Sequence, residues 1–111
     1  MTPEEVVQIQ LDNYNQRNLD GYAAVFHPQI TIRREQNGEP VLEGMAAMRE
    51  FYANKRFNLP NLHCELKNRI CIGNKVIDHE LVFGVNDEPI EMVAVYTVVD
   101  NLITDLWFIS P

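Results

Sequence analysis

The chain has 111 residues, 46% of them hydrophobic and 23% charged, enough apolar material for one core and too much for a disordered tail. Its apolar runs fall far short of the roughly 20 residues that span a bilayer, and the opening stretch Met1–Gln8 carries two acids and no basic run, so neither a membrane segment nor a secretion signal is expected. Sixteen acids against nine lysines and arginines give a net charge of −7, a field that repels phosphate backbones and disfavours nucleic acid and anionic membrane as partners.

The first helix announces itself at its start. Thr2 can cap it, Pro3 suits the first helical position, and Glu5 completes a capping box. Val7, Leu11 and Tyr14 then recur at helical spacing and make one buried stripe. The polar run Asn15 to Asn18 ends it, and Asn18 caps a second, short helix predicted over Leu19 to Phe26, stopped by Pro28. Ile30 to Arg34 alternates like a strand, and Asn37-Gly38 is a strong short turn signal. A third helix is predicted from about Glu43 to Lys55, with Ala47, Met48, Phe51 and Tyr52 on its apolar side. Phe57 to Asn61 reads as a connection.

Strands fill the rest. Leu62–Ile72, Val76–Val85, Ile90–Val99 and Leu102–Ile109 are rich in Val, Ile, Phe and Tyr. Turn signals part them at Gly73-Asn74, Asn86 to Pro89 and Asp100-Asn101. Helices first and an antiparallel meander after make an α+β domain, expected as one unit over residues 1–111. Cys64 and Cys71 stand in no metal-ligand spacing; odd spacing on one strand sends them to opposite faces, about 23 Å apart at about 3.3 Å per residue. Both read as free thiols in a reducing compartment, which points to the cytoplasm.

Two-residue turns fix register, and register fixes which side chains share a face. A turn at Gly73-Asn74 sets Arg69 opposite Asp78, Lys67 opposite Glu80, and Asn68 opposite His79. The first two pairs read as a charged outer face, leaving Asn68 and His79 on the apolar inner face. A turn at Asp100-Asn101 sets Tyr96 opposite Asp105 and Ala94 opposite Trp107. A loop of two or four residues between Val85 and Ile90 brings these sets onto one face. His79 and Asp105 are then the candidate acid–base pair, and Tyr14, Asn68, Tyr96 and Trp107 the candidate ligand contacts, in a mostly apolar pocket with a few convergent polar groups. The bland alternatives are a core His79 bonded to Asn68 and an Asp105 bonded to Tyr96. A one-residue slip exchanges the faces and makes Asp78 and Glu80 the pocket acids. The outer face keeps Val93, Val95, Leu106 and Phe108, an apolar surface that predicts a homodimer. Neither a metal nor a cofactor is expected.

Three phrases carry a resemblance: VVQIQLDNYNQRNLDGYAAVF, EPVLEGMAAMREFY and AVYTVVDNLITDLWFI. Their order and spacing resemble the nuclear transport factor 2-like superfamily, in its SnoaL-like and ketosteroid isomerase-like branch, over roughly residues 4 to 109. The resemblance implies a cone-shaped fold, three helices packed on a curved antiparallel sheet. It further implies a pocket between the two, and a homodimer through the outer sheet face. Family activities include isomerases, polyketide cyclases, dehydratases and epoxide hydrolases. Ketosteroid isomerase works with an aspartate base and an oxyanion hole of tyrosine and protonated aspartate. Carried over, the base position holds Arg33 or Arg34, the second acid falls among Val95, Tyr96 and Thr97, and the tyrosine falls near Gln10, a turn before Tyr14. None of the three is retained. Two readings follow: a cofactor-independent proton-transfer enzyme acting on a small apolar carbonyl compound, or a binding protein for a small apolar ligand.

Overall fold

The computed structural model describes all 111 residues. Helix α1 spans Pro3–Asn15, and its capping box forms: the Glu5 amide donates to Thr2 Oγ1 at 3.1 Å and the Thr2 amide to Glu5 Oε1 at 2.8 Å. Val6, Val7, Gln10, Leu11 and Tyr14 form its buried face. Helix α2 is shorter than predicted, Leu19–Ala23, and strand β1 starts earlier, Phe26–Arg33. Tertiary pairing overrides the local signal: Phe26 pairs with Ile103, and the Ile103 amide donates to the Val25 carbonyl at 2.8 Å. Pro28, which has no amide to donate, lies in the stretch where this register shifts. Strand β2, Pro40–Glu43, folds back on β1 beyond the Asn37-Gly38 connection, and α3, Gly44–Lys55, follows directly.

Strands β3 (His63–Ile72), β4 (Lys75–Phe83), β5 (Ile90–Val99) and β6 (Leu102–Ile109) form the predicted meander. The sheet has six strands in the order β2-β1-β6-β5-β4-β3 and is curved and unclosed. β1 joins β6 in parallel, so the sheet is not antiparallel throughout. The helices pack on its inner face, where Ile32, Val76, Val82, Ala94, Tyr96, Val98, Ile103 and Leu106 are buried.

Register differs from the sequence expectation at three places. In β3 a bulge at Lys67 keeps Arg69 opposite Asp78 and Asn68 opposite His79, but sets Leu66, not Lys67, opposite Glu80. It also returns Cys64 and Cys71 to the same face, although their spacing is odd; both are free. Between β4 and β5, Val82 pairs with Ile90, so residues 83–89 intervene, an odd number where two or four were expected. In β6 an irregularity at Thr104 leaves Val98 opposite Ile103 but sets Tyr96 opposite Leu106 rather than Asp105. Each one-residue shift moves a set of side chains to the other face.

Candidate functional site

A cavity of about 490 Å³ lies between helices and sheet, a volume ordinary for small-molecule sites. Its helical wall is aromatic. Tyr14 of α1, Tyr22 of α2, Tyr52 of α3 and Phe57 pack with ring centroids 4.8–6.3 Å apart, in tilted or edge-on contacts that tie the helices together. The sheet wall is mostly aliphatic, with Ile32, Val82, Met92 and Leu106.

One acid stands in this lining. Glu80 is 6% exposed, on the inner face of β4. Burial pushes its carboxyl up to about 7; the neighbouring Asp78 charge adds to this, while the Cys64 thiol and Arg69 oppose it. A carboxyl poised there exchanges protons readily near neutrality. Cys64 is fixed beside it by Asn15, whose side chain donates to the Cys64 carbonyl at 3.0 Å and accepts from its amide at 2.7 Å. Burial and the Glu80 carboxyl raise the thiol above its ordinary range, so it stays protonated. The hydroxyls of Tyr14, Tyr52 and Tyr96 are also pushed up by burial and stay protonated, available as donors.

Deeper on the same strand, Asp78 is 1% exposed. Arg69 holds it with two bonds, Nε to Oδ1 at 2.7 Å and Nη2 to Oδ2 at 3.0 Å, and donates a third to Gln8 of α1 at 2.8 Å. This fork locks helix to sheet beneath the cavity. At the cavity wall Gln10 is 5% exposed and its Oε1 has no hydrogen-bond partner, an acceptor left for a donor on whatever enters.

Of the six residues expected to share one pocket, Tyr14 and Tyr96 line the cavity. The other four do not. His79 lies on the outer face, its Nε2 2.8 Å from Glu91 Oε2 rather than at Asn68. Asn68, paired with it, is exposed. Asp105 is turned outward and ion-paired with Arg33, and Trp107 follows the same parity. The supposed charged outer face is the inner one: Asp78 and Glu80 are buried. Leu106 and Phe108, expected outside, line the cavity. The cause is the register just described, above all the odd loop between β4 and β5.

Glu80 thus reaches the pocket through the exchange of faces that a one-residue slip was expected to bring, whereas Gln10 and Cys64 were not among the expected contacts. Arg69, opposite Asp78, reaches Glu4 and Gln8 of α1, contacts that only the helix-covered inner face can make. Of the residues at the positions to which the resemblance carries the isomerase groups, Arg34, Tyr96 and Gln10 line the cavity, while Arg33, Val95 and Thr97 do not. No group of three or more His, Cys, Asp or Glu side chains is placed to hold a metal ion, and no helix is long and apolar enough to cross a membrane.

Residues 7–106 match the SnoaL-like domain. A cystatin-fold protein from Novosphingobium aromaticivorans superposes with a TM-score of 0.88 at 25% identity, covering 98% of each chain. A protein with a ketosteroid isomerase-like fold from Catenulispora acidiphila, crystallised with trimethylamine, has a TM-score of 0.78 at 16% identity, covering 98% of this chain and 86% of its own. TerC, co-crystallised with polyporic acid, has a TM-score of 0.77 at 18% identity, covering 98% and 91%. No curated protein matches the chain.

Proposed function

The chain belongs to the SnoaL-like domain family within the nuclear transport factor 2-like superfamily, and from that footing we propose that it takes a small apolar carbonyl compound into its cavity and moves a proton on it with Glu80. One observation carries this reading: a single carboxyl, buried and thereby pushed up to about 7, is the one acid of a mostly apolar and aromatic cavity. At neutral pH a large share of it is ionised and takes a proton from carbon beside the carbonyl. The electrons move onto the carbonyl oxygen, a tyrosine hydroxyl of the cavity wall stands ready to donate to it, and the protonated Glu80 returns the proton to the same or a conjugated carbon. Neighbours crystallised with trimethylamine and polyporic acid support small organic ligands in such folds. The free thiols favour a reducing compartment such as the cytoplasm.

A second reading, a binding protein without chemistry, is favoured by the loss of all three isomerase groups, whose positions contribute Arg34, Tyr96 and Gln10 to the cavity. A base-catalysed elimination separates the two. 5-Nitrobenzisoxazole is small and apolar and loses one carbon-bound proton as its N–O bond breaks. Proton transfer predicts saturable turnover that rises with pH through a midpoint near 7 and is lost in Glu80→Gln. Binding of the compound with no turnover, or equal turnover in Glu80→Gln, leaves the binding protein.

A further inference from the structure

We infer that the natural ligand is an amphipathic anion, an apolar body ending in a carboxylate or a similar acid, held by Arg34 and Arg56 with the body reaching inward to Glu80. This deepens the reading of the cavity as a ligand site and rests on it. The chain is strongly acidic, with sixteen Asp and Glu against six arginines and three lysines. The cavity reverses that balance: two arginines line it against one acid, and that acid is buried and poised near neutrality.

The arginines are also disposed differently from the others. Arg33, Arg49 and Arg69 are ion-paired with Asp105, Asp20 and Asp78. Arg17 donates to the carbonyls of Leu59 and Pro60. Arg34 makes no side-chain hydrogen bond or ion pair, and Arg56 donates only to the adjacent Lys55 carbonyl while its guanidinium lies 5.1 Å over the Phe51 ring. In so acidic a chain, two unpaired guanidiniums on one cavity are a binding arrangement for an anion. They come from separate elements, Arg34 just after β1 and Arg56 just after α3, and the cavity brings them to one lining. Arg34, Val41 and Ser110 are the exposed lining residues, which puts Arg34 where the cavity meets solvent. A charged end there stays hydrated on one side. An apolar body then fits the aromatic and aliphatic walls, and a donor on it meets the free Gln10 Oε1.

A matched pair of dyes tests this. 8-Anilinonaphthalene-1-sulfonate and N-phenyl-1-naphthylamine share one apolar body, and only the first carries an anion. The sulfonate is expected to bind about tenfold more tightly, and Arg34→Gln with Arg56→Gln to abolish that difference while leaving the neutral dye unchanged. The single variants, checked by circular dichroism, cover the case in which the double variant fails to fold. Met92→Trp, which fills the cavity, is expected to displace both dyes; sulfonate binding that survives it lies elsewhere and overturns the inference. Equal affinity for the two dyes, or a preference untouched by the arginine variants, overturns the anion and leaves the cavity reading standing. Failure of both dyes to bind overturns both.

Discussion

Glu80 is an acid that folding places in a worse environment than water, and the cost has a definite pH dependence. Its carboxyl rises from 4.5 to about 7 on folding. Between these values the folded chain keeps a proton that the unfolded chain has released, so stability falls as pH rises through this window. The loss is complete above about pH 7 and amounts to about 3 kcal/mol, at about 1.4 kcal/mol per pH unit. Glu80→Gln removes the ionisation and keeps the shape. The difference in Tm between variant and parent is expected to be constant below pH 4.5 and to move in the variant's favour by several degrees up to pH 8; a pH-independent difference in calorimetry would contradict this. The fork of Arg69 on Asp78 works the other way. Arg69→Ala leaves a carboxylate at 1% exposure without its partner, an expected loss of about 3–5 kcal/mol in urea denaturation. Removing both charges in Arg69→Met with Asp78→Leu is expected to restore most of it, because a well-packed apolar pair needs no compensation.

At the scale of elements, much of the fold was legible because its signals are local. The capping box, the stripe of α1, four strand cores and two of the turns lie where the residues put them. Asp100 and Asn101 adopt φ of 51° and 66°, as a two-residue hairpin turn requires. The faces were not legible, because both sides of β4 carry apolar residues: Val76 and Val82 inward, Ile77 and Leu81 outward. Hydropathy then leaves parity to loop length and bulges. The bulge at Lys67 and the irregularity at Thr104 carry no glycine and read as ordinary strand sequence. The odd loop after β4 does have a marker in Gly84. Its φ is +88°, and a Cβ there would lie 2.3 Å from the Asn61 carbonyl oxygen, a backbone atom that cannot move aside cheaply. Gly84→Ala is therefore expected to cost at least about 2 kcal/mol, read from denaturant midpoints, through left-handed strain together with the clash. A neutral result would mean that the loop relaxes, and that parity is held by the strand pairing alone.

For the molecule as a whole, the outer sheet face sets the last expectation. Seven large hydrophobic side chains are exposed, and five of them, Ile70, Ile72, Phe83, Val99 and Ile109, stand on this one face. Val93, Val95 and Trp107 lie between the strands' ends on the same side, and Ile70, Ile77, Val95 and Trp107 form an apolar row across four strands, flanked by the His79–Glu91 and Arg33–Asp105 pairs; Leu106 and Phe108 are not part of it. We expect such a row to be covered in an interface, and a second copy presenting the same strands would cover it with two-fold symmetry. Each copy carries a net charge of −7, so the pair repels at low ionic strength and added salt tightens it. Light scattering at tens of micromolar is expected to give twice the 12.8 kDa of one chain, with dissociation on dilution promoted at low salt. Dissociation uncovers Trp107, so its emission moves to the red in step with the mass. Ile70→Glu with Ile109→Lys changes only exposed side chains, and is expected to give a monomer with unaltered circular dichroism and unaltered dye binding in the cavity, since neither residue lines it. A wild-type mass of one chain at that concentration would show that the face stays wet, and a dimer that survives the two substitutions would place the interface elsewhere.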